Sequence, residues 1–265
     1  MRDPVEGAPA APGVGAERRA LSAGAGLRPP GGAAGCMGGV SRGPGRGSSG
    51  WRGRRLPAKT AWVLQELPSL VWPLCECVRA SSERLRSWPN RILLAMFIVH
   101  YGHRTLIFPY LIRGGKPTLL YSWAMAFVFC TYNGYLQSRY LSQYAVYADD
   151  WVTQPRFLTG FALWLLGMLI NIHSDHILRS LRKPGETGYR IPRGGLFEYV
   201  SGANYFGETV EWCGFALASW SLQGGAFALF TFCILLARAN NHHQWYLEKF
   251  EDYPKFRKII IPFLL

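Results

Sequence analysis

Six runs of apolar residues, each long enough to cross a lipid bilayer, are spaced along the chain at about 62–79, 92–112, 118–138, 156–178, 199–221 and 225–247. Short polar links separate them. Stretches such as LLAMFIV, ALWLLGMLI and FALFTFCILLA are apolar on every side of a helix, whereas the helices of a soluble bundle keep a polar outer face. The pattern predicts an all-α integral membrane protein, a bundle of about six transmembrane helices. From Met1 to about Gly53 neither helical nor strand periodicity is present, and there is too little apolar surface to offset the entropy of ordering the backbone. The expected organisation is therefore a disordered Gly/Ala/Pro-rich tail over residues 1–55 and a membrane domain over 56–265.

Charge divides the chain at the same place. Residues 1–60 carry ten Lys/Arg against three Asp/Glu, so more than half of the net +13 lies ahead of the first span. The tail lacks the apolar core of a secretory signal, and its Pro and Gly content argues against the amphipathic helix of a transit peptide. Arg52, Arg54, Arg55 and Lys59 sit where they can set topology or meet anionic lipid. Without aromatic interleaving or a binding fold they do not read as a nucleic-acid site. Given six spans, the N-terminal flank, the 113–117 link, the 179–198 loop and the C-terminal tail share one side and hold most of the Lys/Arg. The positive-inside rule then puts both termini and the 179–198 loop in the cytosol.

The densest polar inventory between two spans runs from Asn171 to Glu211. On a helix Asn171, Asp175, Arg179 and Arg182 share one face, and beyond the Pro184-Gly185 break Asn204, Glu208 and Glu211 repeat that spacing. With Arg182, Lys183, Arg190 and Arg193 in the intervening loop, the stretch suits an anionic, phosphate-bearing ligand at a membrane boundary. No GxGxxG after a strand and no Walker loop is present, so a nucleotide would have to be held without either device. The cysteines form no CxxC pair, and His242-His243 and His100-x-x-His103 lack an HExxH arrangement. Neither a disulfide nor a metal site is expected, and the histidines read as hydrogen-bonding groups.

Polar residues inside the spans need partners or a cavity. Glu66, in WVLQELPSL beside Gln65, needs a donor, and Tyr101 and Arg104 share a face of the next span. Periodicity alone leaves two readings of this group open, a satisfied polar network between helices or the centre of a catalytic site.

The segments LPAKTAWVLQELPSL, LLAMFIVHYGHR, NGYLQSRYLSQYAVYADDWVTQPRF, NIHSDHILRSLRKPGETGYRIPRGGLFEYVSGANYFGE and EDYPKFRKIIIPF resemble the steroid 5-alpha-reductases, over roughly four-fifths of the chain. His242, Tyr246, Tyr253-Pro254-Lys255 and Arg257 also resemble the wider group of membrane sterol reductases and isoprenylcysteine methyltransferases. The resemblance implies an endoplasmic-reticulum membrane enzyme that uses NADPH to reduce the 4,5 double bond of 3-oxo-4-ene steroids. It implies Tyr101 as donor to the 3-oxo group and Glu66 as its partner; Gln65 and Arg104 are expected beside them, and Trp212, one turn beyond Glu208, suits an apolar wall for the flat steroid. It further implies NADPH contacts at Asn171, Asp175, Arg182, Tyr189, Arg190, Asn204, Glu208, His242 and Tyr246, in a protein acting as a monomer. The family's first membrane helix finds no counterpart in residues 1–55, which gives six spans where the family has seven. Two readings of different class therefore stand: an active reductase, or a membrane protein that keeps the steroid-binding surface and pairs with a full-length form without turnover. Methyl transfer on the related scaffold is disfavoured by the Gln65-Glu66 and His100-Tyr101 motifs.

Overall fold

A computed structural model describes residues 54–79, 83–112, 116–181 and 189–265; the expected disordered tail, as far as residue 53, lies outside the described residues. The order is β1 (Arg55–Leu56), α1 (Ala58–Val78), α2 (Trp88–Gly102), a π turn (His103–Ile107), α3 (Phe108–Leu111), β2 (Thr118–Leu119), α4 (Leu120–Arg139) and a second π turn (Tyr140–Tyr144), then α5 (Pro155–Ser180), α6 (Ala203–Ser219) and α7 (Leu222–Lys249). β1 and β2 form a two-residue antiparallel clasp, Arg55 opposite Leu119 and Leu56 opposite Thr118, which ties the start of α1 to the start of α4.

The expected all-helical membrane architecture is what the chain adopts. Trp88–Leu111, Pro155–Ser180 and Leu222–Lys249 are long and apolar enough to cross a bilayer by length and composition alone. The other three long helices carry the polar groups, and the burial pattern turns most of these inward: Gln65, Ser69 and Glu76 on α1, Asn133 and Gln137 on α4, and Glu211 on α6 are all buried. Large apolar side chains such as Leu165, Leu166, Leu169 and Leu229 face outward, as lipid rather than water requires.

Helix ends follow local chemistry. Proline opens α5 and lies in the first turn of α2, where a missing N–H costs nothing. Ser221 caps α7, accepting from Gly224 N at 3.0 Å, and Trp220 takes a left-handed conformation (φ 44°) that reverses the chain between α6 and α7. The run from 199, expected to belong to a span, becomes helical only at Ala203 because the preceding backbone is engaged elsewhere. Ser201 N donates to Lys258 O at 2.9 Å and Gly202 N to Ile259 O at 3.0 Å, docking the C-terminal tail beneath α6.

α5 and α6 run antiparallel with their backbones in contact. Gly160 meets Gly214 and Ala218, while Gly167 and Asn171 meet Gly207 and Glu211, a seam of glycines seven residues apart on each helix. Without a hydrophobic force between helices in lipid, this close approach supplies the packing. It also determines what faces what, since Asn171 can reach Asn204, and Gly167 can meet Glu211, only if nothing larger than hydrogen separates the helices. A Cβ at Gly207 would lie 2.5 Å from Asn171 N and 2.9 Å from Gly167 O, both backbone atoms. Gly207→Ala is therefore expected to destabilise the detergent-solubilised protein by about 1–3 kcal/mol. Gly225→Ala, with nothing within 4 Å, is expected to leave the melting temperature unchanged. Equal melting of the two variants would remove the seam argument.

Candidate active site

Gln65 and Glu66 project from the middle of α1, and His100 and Tyr101 from the last turn of α2. The π turn that follows inserts an extra residue into the helix just where Arg104 must be placed, a device found at functional positions more often than elsewhere. All five side chains line one cleft, with Ala126, Phe129 and Cys130 of α4, Glu208 of α6 and Phe227, Phe230, Thr231, Ile234, Leu235 and Arg238 of α7. The cleft is open on one side, apolar along α4 and α7 and polar at one end.

At the polar end, Glu66 accepts from Gln65 Nε2 at 3.4 Å and from Cys130 Sγ at 3.8 Å. His100 Nδ1 lies 2.7 Å from Glu211 Oε1, so the hydrogen-bonding role expected for this histidine is the one it has. Its ring meets Tyr101 edge-on at 4.9 Å and Trp212 at 4.4 Å. Trp212, expected as a wall for the ligand, is 1% exposed and stands one layer back, packed against Phe97, Phe215 and Phe227. It supports His100 and Tyr101 from behind.

Arg104 lines the cleft and also reaches toward α5. Its Nη1 lies 3.5 Å from Asp175 Oδ2, and its guanidinium sits 4.6 Å over the rings of both Trp62 and Phe108. Sequence reasoning looked to Arg104 as a donor for Glu66; the structure commits one of its nitrogens to α5. Through this ion pair the cleft continues into a second polar region. Asn171 Nδ2 donates to Asn204 O at 2.9 Å, Glu208 stands one turn along α6 from Asn204 at the edge of the cleft, and Tyr205 OH lies 3.3 Å from His242 Nε2. Tyr246 stacks on Tyr253 at 5.1 Å with parallel rings, and Tyr189 meets Trp245 edge-on at 5.0 Å. Arg190 is exposed beside them, and Arg182 and Lys183 lie outside the described residues. The structure thus brings Asn171, Asp175, Asn204 and Glu208 together at one end of α5 and α6, next to His242, Tyr246 and Tyr189.

The segment from Pro192 to Glu198 is held by a cluster that includes the C-terminal tail. Arg257, buried in the C-terminal tail, donates from Nη1 to Pro192 O at 2.9 Å and from Nη2 to Glu198 Oε2 at 3.3 Å. Glu198 also accepts from Gly194 N at 2.6 Å, and this bond, with Arg257 and Arg193 beside it, holds its carboxyl below the usual carboxylate range. The turn needs glycine at Gly194 (φ 92°), where a side chain would be strained.

Sequence reasoning found the polar residues of α1, α5 and α6 but missed the His100–Glu211 pair, the aromatic lining from α4 and α7, and Arg238. The first is a contact between helices 111 residues apart and leaves no periodic trace. The lining residues read as ordinary lipid-facing positions. Arg238, the one cation in the last apolar run before its polar end, was a legible signal.

The architecture and the cleft define an all-helical membrane enzyme with a buried ionisable site opening onto an apolar groove. A model of the 3-oxo-5-alpha-steroid 4-dehydrogenase family matches residues 116–265. The chain is 76% identical to 3-oxo-5-alpha-steroid 4-dehydrogenase 1 of Mus musculus over 83% of its own length and 87% of the relative's. Against the Homo sapiens type 1 protein identity is 74%, covering 79% and 81% of the two chains. Against Homo sapiens 3-oxo-5-alpha-steroid 4-dehydrogenase 2 it is 54%, covering 79% and 82%. The chain belongs to the 3-oxo-5-alpha-steroid 4-dehydrogenase family, a family of oxidoreductases.

Proposed function

We propose that this chain reduces the 4,5 double bond of 3-oxo-4-ene steroids, testosterone, progesterone and corticosteroids among them, using NADPH in the endoplasmic-reticulum membrane. The observation that carries the reading is the convergence of Gln65, Glu66, Tyr101 and Arg104 at the polar end of a cleft whose sides are Phe129, Phe227 and Phe230. A flat apolar ligand with one terminal carbonyl fits that division of chemistry.

NADPH, when bound, supplies the hydride that reaches C5. The residues of the second polar region fit its other groups. Asp175 Oδ2 is buried and pairs with Arg104 at 3.5 Å without forming a hydrogen bond, so it keeps capacity to accept from a hydroxyl, and Asn171, Asn204 and Glu208 add the amides and carboxylate that ribose and a carboxamide require. His242, Tyr246 and Tyr189 flank them, and Arg182 and Arg190 belong to the loop where phosphates would sit. Hydride arrival at C5 moves charge to the 3-oxygen, so the barrier falls most if a donor is already aimed there. Tyr101 is that donor, and Glu66, which accepts from Gln65, lines the same polar end of the cleft as its partner. The Lys/Arg bias supports a cytosolic position for the basic loop and both termini, from which the cofactor arrives. One copy holds every residue in this scheme, which supports action as a monomer.

Membranes containing the chain, incubated with labelled testosterone and NADPH, are expected to yield 5-alpha-dihydrotestosterone, with NADH a much poorer donor. Arg190→Ala is expected to raise the KM for NADPH by the equivalent of about 1.5–3 kcal/mol, one charge-assisted contact. Equal use of NADH and NADPH would remove the phosphate role. Steroid binding without any product would leave the non-catalytic reading in its place.

A further inference from the structure

Reduction of an enone needs a proton at C4 as well as a donor at the 3-oxygen, and Tyr101 answers only for the oxygen. Among the groups lining the cleft, His100 is the neighbour of Tyr101 that carries a transferable proton and is itself held by a second acid. Its Nδ1 is taken up by Glu211 Oε1 at 2.7 Å, and Glu211 is 1% exposed and does not line the cleft. The other carboxyl oxygen of Glu211, Oε2, is buried without a hydrogen bond, so this carboxyl is committed to the imidazole. Trp212 and Tyr101 pack edge-on against the ring at 4.4 and 4.9 Å and fix its plane. Nε2 is the nitrogen left over, in a side chain that reaches the cleft beside the phenol.

We infer that His100, oriented by Glu211, delivers the proton to C4. The inference rests on the reductase reading above. After hydride has reached C5, the electron pair of the former double bond lies across C4, C3 and the 3-oxygen. C4 takes the proton from His100 Nε2, the N–H pair stays on nitrogen, and the carbonyl re-forms. The dyad begins with two protons, one on Nε2 and one between Nδ1 and Glu211, and ends with the second alone. A proton from water at the cleft mouth restores Nε2. His100 is then a catalytic residue and Glu211 a positioning residue that acts through it.

Microscopic reversibility gives a test that needs no cofactor. The group that protonates C4 also removes that proton from a bound 3-oxo-5-alpha-steroid, with Tyr101 stabilising the enolate. Incubated in D₂O with 5-alpha-dihydrotestosterone, the unsubstituted chain is expected to exchange hydrogen for deuterium at C4, followed by mass spectrometry. His100→Gln is expected to lower both this exchange and kcat by about 10²–10⁴-fold, the usual worth of general acid catalysis. Glu211→Gln is expected to lower them less and to leave the steroid KM nearly unchanged. Labelled-steroid binding is measured on each variant, and if His100→Gln no longer binds, Glu211→Gln decides. Exchange and kcat within about threefold of the parent in a variant that still binds steroid would overturn the inference, as would absence of exchange by a parent that reduces testosterone. A parent that neither exchanges nor reduces would overturn the reductase reading itself.

Discussion

Replacing Tyr101 by phenylalanine is expected to lower kcat by about 10²–10³-fold while steroid binding falls much less. The substitution removes one oxygen from a ring that is 4% exposed and packed against Phe97 at 4.7 Å and His100 at 4.9 Å, so shape and packing survive. What disappears is the donor at the point where charge develops, an interaction that is stronger in the transition state than in the bound substrate. Glu66→Gln should also reduce turnover, because it alters the proton available to Tyr101 while nearly preserving volume. If the two residues act as a unit, the double variant should be little worse than the worse single one, whereas independent roles would multiply. Initial rates with saturating NADPH, alongside labelled-steroid binding, separate these cases. Turnover of Tyr101→Phe within a few-fold of the parent would return Glu66 and Tyr101 to the status of a structural network.

The spans were legible because lipid makes an unambiguous demand: a run such as FALFTFCILLA has no polar face to offer water. The stripes on α5 and α6 were legible for a similar reason. Asn171 and Asp175, or Asn204 and Glu208, repeat at the helical period in segments where each polar group needs a justification. What the period could not supply was the partner. Arg104 shares a face with Tyr101 and looked available to Glu66, yet a π turn begins one residue before it, and its nitrogen reaches α5 instead. No local rule places an extra residue in that turn. Glu211 was visible as the end of a polar stripe, but its pairing with His100 depends on how deeply α6 sinks against α5. That depth is governed by Gly167 and Gly207, residues that carry no chemistry of their own. The polar positions could be read singly; their pairing is a property of backbone approach.

Removing either member of the Arg104–Asp175 pair is expected to cost about 3–5 kcal/mol of stability, whereas removing both should cost far less. The two side chains are 7% and 2% exposed and 3.5 Å apart, so the pairing offsets part of the cost of burying each charge. Asp175→Leu leaves a guanidinium pressed against Trp62 and Phe108 without its carboxylate, and Arg104→Met leaves a buried carboxylate deprived of its cation. Arg104→Met with Asp175→Leu replaces the pair by two apolar groups of comparable size in a site already lined by rings. Melting of the detergent-solubilised proteins would show the sign: a double variant more stable than either single one identifies a true ion pair, and simple addition of the two losses would show that the contact carries no coupling. Activity should behave differently. If Arg104 and Asp175 join the steroid cleft to the cofactor region, the double variant regains its fold but not its turnover, because the acceptor intended for a ribose hydroxyl and the charge at the cleft's polar end are both gone. Recovery of turnover together with stability would mean that the pair serves the fold alone, and that the two regions are joined through Glu208 on α6 rather than through Arg104.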